Sequence, residues 1–469
     1  MSANINTSAQ GKRARKIPHT DEHRPKFIHQ LANGGAETWL SAIIFGFGSF
    51  VNGQIIKGLL YLASEVGFIL FYLTFGWGYV KDLLTLGTVQ QGWVFNEAIG
   101  IDELAAGQNS MLILLYSVLT IATLVPLFMI WRNSVKSSYL AHERKLAGIK
   151  QPTFLKDVKT LLDLRYHMTL MSLPLITLTL FTALPIIFMV AIAFTNFDAT
   201  HQPPGKLFTW VGLTNFRNIF FDNPKYKNSF GGILTWTFIW AIFATVTNYL
   251  LGMILALMIN KQGIKLKKLW RTCFVITIAV PQFVSLMLVS RMFADTGIVN
   301  ETLKNWNWIK DPIKFLTDPT LARIMVVIIN MWVGVPYTML MTTGILMNIP
   351  ADLYESANID GATAYRQFVS ITLPYMLFVT GPYLITTFVG NINNFNVIYL
   401  LTSGGPLNQN YYQAGDTDLL VTWLYKLTVD RSDYNLASAI GIIIFVIVAA
   451  FSLLAYNFTG SVKKEDQFS

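Results

Sequence analysis

Eight stretches of about twenty or more mostly apolar residues constrain this chain more than any other feature. They lie at about 58–80, 111–131, 169–195, 231–258, 274–294, 323–347, 375–401 and 436–457. A helix rising about 1.5 Å per residue needs about 20 such residues to cross a hydrocarbon core about 30 Å thick. Inside lipid every backbone polar group must be satisfied within the protein, so runs of this length are read as helices. The expected fold is all-α: a polytopic membrane protein with about eight transmembrane helices. Composition agrees, since only 13% of the residues are charged against about 25% in soluble proteins. The single cysteine, Cys273, leaves no disulfide framework and no cysteine metal cage. The first 35 residues are polar and basic without an apolar run, so a cleavable signal peptide is not expected.

Segment 39–57 is apolar at its start but carries Gly46, Gly48, Gly53 and Lys57. It reads as a short interfacial or re-entrant piece before the first span. Lys and Arg concentrate in alternate connections: Lys12 to Lys26, 132–168, KQGIKLKKLWR at 261–271, Arg366, Lys463 and Lys464. These hold twice as many basic residues as the other connections, which places them, and both termini, on the cytoplasmic side. The chain divides into a basic tail (1–35), a two-span extension with a basic linker (36–165) and a six-span core (166–469).

Several chemistries have no residues to carry them. The sequence has no GxxxxGK[ST] phosphate loop, no HExxH and no paired Cys/His spacing. His19, His23, His29, His142, His167 and His201 all lie outside the spans or at their edges. Ion coupling calls for ionisable groups inside spans. Glu65, Arg291 and Arg323 are the candidates, and the two arginines are near enough to an interface to snorkel. Glu65 is read as paired within the bundle rather than as a coupling group.

The connection 349–374, IPADLYESANIDGATAYRQFVSITLP, is more informative. Pro350 and Asp352 start a helix, and Glu355 follows Asp352 at capping-box spacing. Leu353, Ala357, Ala364 and Phe368 recur at helical spacing, and Gly361 interrupts the middle. The expectation is two short helices joined by a glycine-permitted bend, with one projecting carboxylate. Glu355-Ser356-Ala357, then Gly361, then Ile371-x-Leu373-Pro374 resembles the EAA loop of ABC-transporter import permeases. It departs at Ser356, where alanine is usual. VGLTNF (211–216), NMWVGVPY (330–337), NINNF (391–395), LTSGGP (401–406) and TDLLVTWLYKLT (417–428) extend the resemblance to the MalF branch of sugar permeases. The similarity runs from about 166 to 456 and lacks the large periplasmic domain of the enterobacterial form, as in Gram-positive-like systems.

The resemblance implies a six-helix type I, MetI-like core and no ATPase site or bound cofactor in this chain. ATP would be used by a partner ATP-binding dimer, docked through Glu355, Ser356, Ala357, Gly361, Ile371, Leu373 and Pro374. The other implied partners are a second, MalG-like permease, an extracellular lipid-anchored sugar-binding protein and an oligosaccharide, with no nucleic acid. The implied location is the bacterial cytoplasmic membrane.

An oligosaccharide site needs amides for hydroxyls and rings for sugar faces, with few full charges. Asn330, Trp332, Gly334 and Tyr337 share one span, and Asn391, Asn393 and Asn394 the next. Three amides in four residues are costly in lipid, so they face a polar cavity or one another. Helical spacing puts Asn391 with Asn394 and turns Asn393 away, and Gly381-Pro382 and Gly390 are expected to bend that span. Interhelical bonding is the competing use of these amides. By resemblance the sugar contacts fall on Asn330, Gly334, Tyr337, Gly390, Asn391 and Asn394, with Trp332 and Phe388 as further candidates. Asp416 and Asp418 are read as solvated loop residues or contacts for the binding protein. Maltodextrin is the first substrate reading and galacto-oligosaccharide the second. An ion-coupled sugar carrier and a lipid-linked glycosyltransferase are the rival classes.

Overall fold

The computed structural model describes residues 27–96, 100–261 and 263–458. The basic residues Lys12 to Lys26, Lys463 and Lys464 lie outside the described residues. Numbered in chain order, the principal helices are α1 (Phe27–Asn33), α2 (Gly35–Ile43), α3 (Phe47–Val51) and α4 (Ile55–Asp82). They continue with α5 (Ser110–Leu146), α6 (Phe154–Leu162), α7 (Tyr166–Ile192), α8 (Pro224–Asn260), α9 (Lys267–Ala279) and α10 (Gln282–Met292). The remainder are α11 (Ile298–Asn305), α12 (Pro319–Leu346), α13 (Ala351–Ile359), α14 (Ala364–Gln367), α15 (Leu373–Ile392), α16 (Phe395–Thr402), α17 (Leu420–Val429) and α18 (Tyr434–Phe458). A single hairpin, β1 (Gly92–Asn96) with β2 (Ile101–Ala105), joins α4 to α5.

Among the described residues seven helical segments are long and apolar enough to cross a membrane, and the bent pair α9–α10 makes up to eight. The expected span 274–294 is therefore not straight: it turns by 89° at a break. The cause is local. Pro281 lacks an amide hydrogen and pushes the preceding residue out of helical space, and Val280 is extended at φ −78°, ψ 126°. The chain forms two compact units, one holding the described residues up to Ala191 with His201–Thr209, the other Ile192–Thr200 with the residues from Trp210 onward.

In the first unit α2 and α3 have 9 and 5 residues, far short of a crossing. The irregular backbone between them is buried in protein, and side chains supply its partners. The Phe45 amide donates to Glu65 Oε2 (2.8 Å), the Gly46 amide to Ser134 Oγ (2.7 Å) and the Gly48 amide to Ser41 Oγ (2.6 Å). This pairs, within the protein, amides that leave the helical pattern. It also gives Glu65 the intrabundle partner expected of it. Burial works to raise the pKa of Glu37, but hydrogen bonds from Asn52 and Lys145 and the nearby charges hold it below the ordinary carboxylate value.

The second unit is built on α8 and α12. Both start on a side-chain cap followed by proline at the first helical position, where no amide hydrogen is needed. Asn223 Oδ1 accepts from the Lys225 and Tyr226 amides, and Asp318 Oδ1 from the Thr320 and Leu321 amides. The two helices run in parallel and pack closely. A Cβ on Gly252 would press on Thr338, and one on Gly334 would overlap the Asn248 side chain. In lipid such small-residue contacts replace the hydrophobic drive between helices. Trp240, Ala241 and Ala244 of α8 join Val326 and Ile329 of α12 and Ile392, Val397 and Ile398 in one buried cluster.

Candidate functional site

Two regions of the second unit hold the candidate site residues: a layer of amides on the apolar helices, and a helical hairpin that follows α12. The amide layer is assembled from α8, α12, α15 and the α15–α16 junction. Asn391, nearly buried, donates from Nδ2 to Thr245 Oγ1 of α8 (3.0 Å), and its carbonyl accepts from Trp240 Nε1 (3.0 Å). Asn330 on α12 is 3% exposed and its Nδ2 has no acceptor among the described residues.

Helix α15 runs unbroken through Pro382, and the interruption falls at Asn393–Asn394, where Asn393 adopts φ −99°, ψ 21°. A proline within a span is tolerated when neighbouring groups re-satisfy the backbone. Asn391 and Asn394 are therefore not on one continuous helix face. Asn394 is the N-cap of α16, accepting the Val397 amide at 3.2 Å, while its Nδ2 reaches Asn391 Oδ1 at 3.5 Å. Asn393 is exposed.

The other named residues divide by position. Tyr337 lies on the Asn330–Gly334 stripe of α12 by helical geometry and is 62% exposed. Trp332 is turned to the opposite side by the same geometry and is exposed. Gly390 is exposed at the end of α15. Phe388 is half-buried, its ring 4.5 Å from that of Phe451 and 6.3 Å from that of Phe238. The structure thus brings Asn330, Gly334, Asn391 and Asn394 close to α8 and leaves Tyr337, Trp332 and Gly390 on its surface. Asn248 was missed from sequence. Its signal was an amide in mid-span, at helical spacing from Thr245 and Gly252.

At the other region α13 and α14 form the expected pair of short helices. Gly361 joins them at φ +72°, a left-handed conformation that glycine adopts without penalty. The capping box is absent: Pro350 is the N-cap of α13 without a side-chain bond, and Asp352 lies in the first turn. Proline's fixed geometry starts the helix instead. Glu355 and Ser356 are exposed, Ala357 is half-buried, and Leu353, Ile359 and Tyr365 present exposed apolar surface beside them. The hairpin is held by Gln367 Nε2 donating to Asn358 Oδ1 (2.7 Å) and by the Tyr354–Thr372 hydroxyl pair (2.8 Å). Ile371 and Leu373 are half-buried and Pro374 is exposed where the chain re-enters the bundle.

At the opposite end of the bundle the 403–419 loop departs from the expectation of solvated carboxylates: it is built around a buried one. Asp418 has no exposed side-chain surface and pairs with Lys426 at 2.6 Å. It also accepts from the Gly415 amide (2.7 Å) and Thr422 Oγ1 (2.8 Å). Burial raises its pKa above the ordinary carboxylate value, and Lys426 opposes the rise. Asp416 accepts from Arg323, whose guanidinium lies 5.0 Å over the Trp236 ring. Neither carboxylate stands free for a partner.

Comparison with known proteins decides the family. Residues 248–464 match the family described as binding-protein-dependent transport system inner membrane component. The chain is 33% identical over 443 residues to the maltodextrin transport system permease protein MalC of Streptococcus pneumoniae, covering 91% of this chain and 96% of that protein. The chain belongs to the MalF-type permeases of ABC importers. Its similarity to the galactooligosaccharides transport system permease protein GanP of Bacillus subtilis is 34% over 433 residues, 91% of this chain and 98% of that one. A bacterial ABC transporter involved in the import of the acidic polysaccharide alginate shares its fold, at 25% identity and a TM-score of 0.50 over 65% of this chain and 97% of that chain. As a MalF-type permease the chain is a multi-pass membrane component of a transport system.

Proposed function

We propose that this MalF-type permease is the larger membrane subunit of an ATP-driven oligosaccharide importer, with maltodextrin as its cargo. The observation that carries the reading is the layer of uncharged amides, Asn330, Asn391 and Asn394, set within the spans of a chain similar along its length to a maltodextrin permease. Amides bond sugar hydroxyls without the desolvation cost of full charges. Tyr337, Trp332, Gly390 and Phe388 supply ring and backbone surface, and Gly334 keeps α12 close to α8. The similarity to GanP favours galacto-oligosaccharide as the second cargo.

Energy enters through a partner ATP-binding dimer. The α13–α14 hairpin offers it the Glu355 carboxylate, the small residues Ser356 and Ala357, and the Gly361 bend, with Ile371, Leu373 and Pro374 fixing the return to the bundle. No cofactor is assigned to this chain. A second, MalG-like permease completes the pathway, and a lipid-anchored binding protein delivers sugar from outside. The basic connections place both termini and the hairpin on the cytoplasmic side, and the six-span core begins near residue 166.

The test is uptake of labelled maltotriose and galactotriose by cells lacking this chain, with wild type or Glu355→Ala supplied back. Restoration of one sugar by wild type and not by Glu355→Ala, at equal membrane levels, supports the reading and names the cargo. Normal uptake by Glu355→Ala sinks the coupling role. Uptake that follows the proton gradient favours an ion-coupled carrier.

A further inference from the structure

Two buried polar atoms beside the amide layer have no partner among the described residues: Oδ1 of Asn248 on α8 and Nδ2 of Asn330 on α12. The two residues are 7% and 3% exposed. Leaving such an atom unpaired costs about 1–3 kcal/mol, so each calls for an explanation.

Their placement is set by helix register. Gly252 faces Thr338 and Asn248 faces Gly334, an offset that puts Asn330 one helical turn from Asn248 along the same contact. One turn is about 5–6 Å along the axis, and in this arrangement the two amides do not bond each other. The chemistry is also specific. Oδ1 is an acceptor and Nδ2 is a donor, and a hydroxyl is the small group that donates to one while accepting from the other. The absence of a side chain at Gly334 leaves the space that Asn248 occupies, as a Cβ there would overlap its amide.

We infer that Asn248 and Asn330 together bind a hydroxyl group, held by a water in the resting protein and replaced by a hydroxyl of the transported sugar. Asn248 thereby becomes a further specificity residue of the translocation pathway. The inference rests on the sugar-import reading and adds a subsite on α8, a helix that reading does not use. A water and a sugar hydroxyl offer the same donor and acceptor, so exchange costs no hydrogen bond. An apolar or charged solute could not make it.

The test uses the assembled importer, reconstituted in vesicles, with Asn248→Ala and Asn248→Ser. Loss of the acceptor is expected to raise KM for maltotriose uptake about tenfold, the equivalent of one hydrogen bond. The maximal rate should fall by less than KM rises, and serine, which restores an acceptor, should recover most of the affinity. A high-resolution structure should show an ordered oxygen within hydrogen-bond distance of both atoms, a water without sugar and a sugar oxygen with it. An unchanged KM in Asn248→Ala, or a direct Asn248–Asn330 bond, overturns the inference. A water that stays in place when sugar is bound overturns the exchange. If the alanine variant fails to reach the membrane, the serine variant and the density carry the test. Failure of the import reading itself would show separately, as no sugar uptake by the wild-type importer.

Discussion

Replacing Asp418 by alanine removes the hub of the 403–419 loop, and its cost can be worked from the contacts. The Lys426 ammonium, 15% exposed, loses its partner at 2.6 Å, and the Gly415 amide and Thr422 hydroxyl lose their acceptor. Breaking a buried ion pair from one side costs about 3–5 kcal/mol, because the remaining charge is stranded. The lost hydrogen bonds are part of that figure rather than additional to it, since Lys426 can turn partly to water. We expect Asp418→Ala to destabilise the protein by about 4 kcal/mol. Lys426→Met should cost less, because the stranded group is then a carboxylate that can take up a proton. Burial already raises its pKa, and removing the cation removes the first opposing influence. A carboxylate whose folded value exceeds its unfolded value holds its proton more tightly in the fold. Its contribution is then full below about pH 4 and lost as pH rises through the raised value. Lys426→Met should therefore be more stable at pH 5 than at pH 8. Reversible unfolding in mixed micelles of both single variants and the double variant measures these terms. A cost below about 1 kcal/mol for Asp418→Ala, within the range of an exposed pair, would refute the buried-hub reasoning. So would a Lys426→Met variant that gains stability as pH rises.

Four further outcomes are expected. Gly361→Val should cost about 1–2 kcal/mol from the left-handed backbone alone, because a Cβ there meets nothing within 4 Å; thermal unfolding should fall while the rest of α13–α14 stays folded. Gly334→Ala should cost about 1–3 kcal/mol by overpacking against Asn248, read as reduced unfolding stability, and Asn248→Ala in the same chain should relieve it. Glu65→Leu should cost about 1–3 kcal/mol by stranding the Phe45 amide, whereas Glu65→Gln keeps an acceptor and should cost less; amide exchange at Phe45 reports the difference. Val280-Pro281 sets the bend of α9–α10, so Pro281→Ala should straighten it, measured as a longer spin-label distance between Lys268 and Arg291 positions.

The spans were legible because membrane crossing is a matter of length and apolarity, both local properties. The glycine bend at Gly361 was legible for the same reason, since it acts within a few residues. The expected capping box at Asp352 and Glu355 failed because Pro350 starts that helix without one. The amides at 330, 391 and 394 announced a polar layer, but not their partners. Thr245 lies 146 residues from Asn391, and no spacing rule connects them.

Sequence by itself determined that this chain is a helical membrane protein and where its apolar segments lie, and its loop and amides resemble those of an import permease. Tertiary structure alone decided that Asp418 is buried rather than solvated, that Asn394 caps a helix instead of continuing one, and that Asn248 stands against Gly334. The physical reason is the range of the forces. Hydrophobicity and backbone geometry are written residue by residue, whereas helix register is fixed by which small residues let two helices approach. That register determines which distant polar atoms meet and which do not.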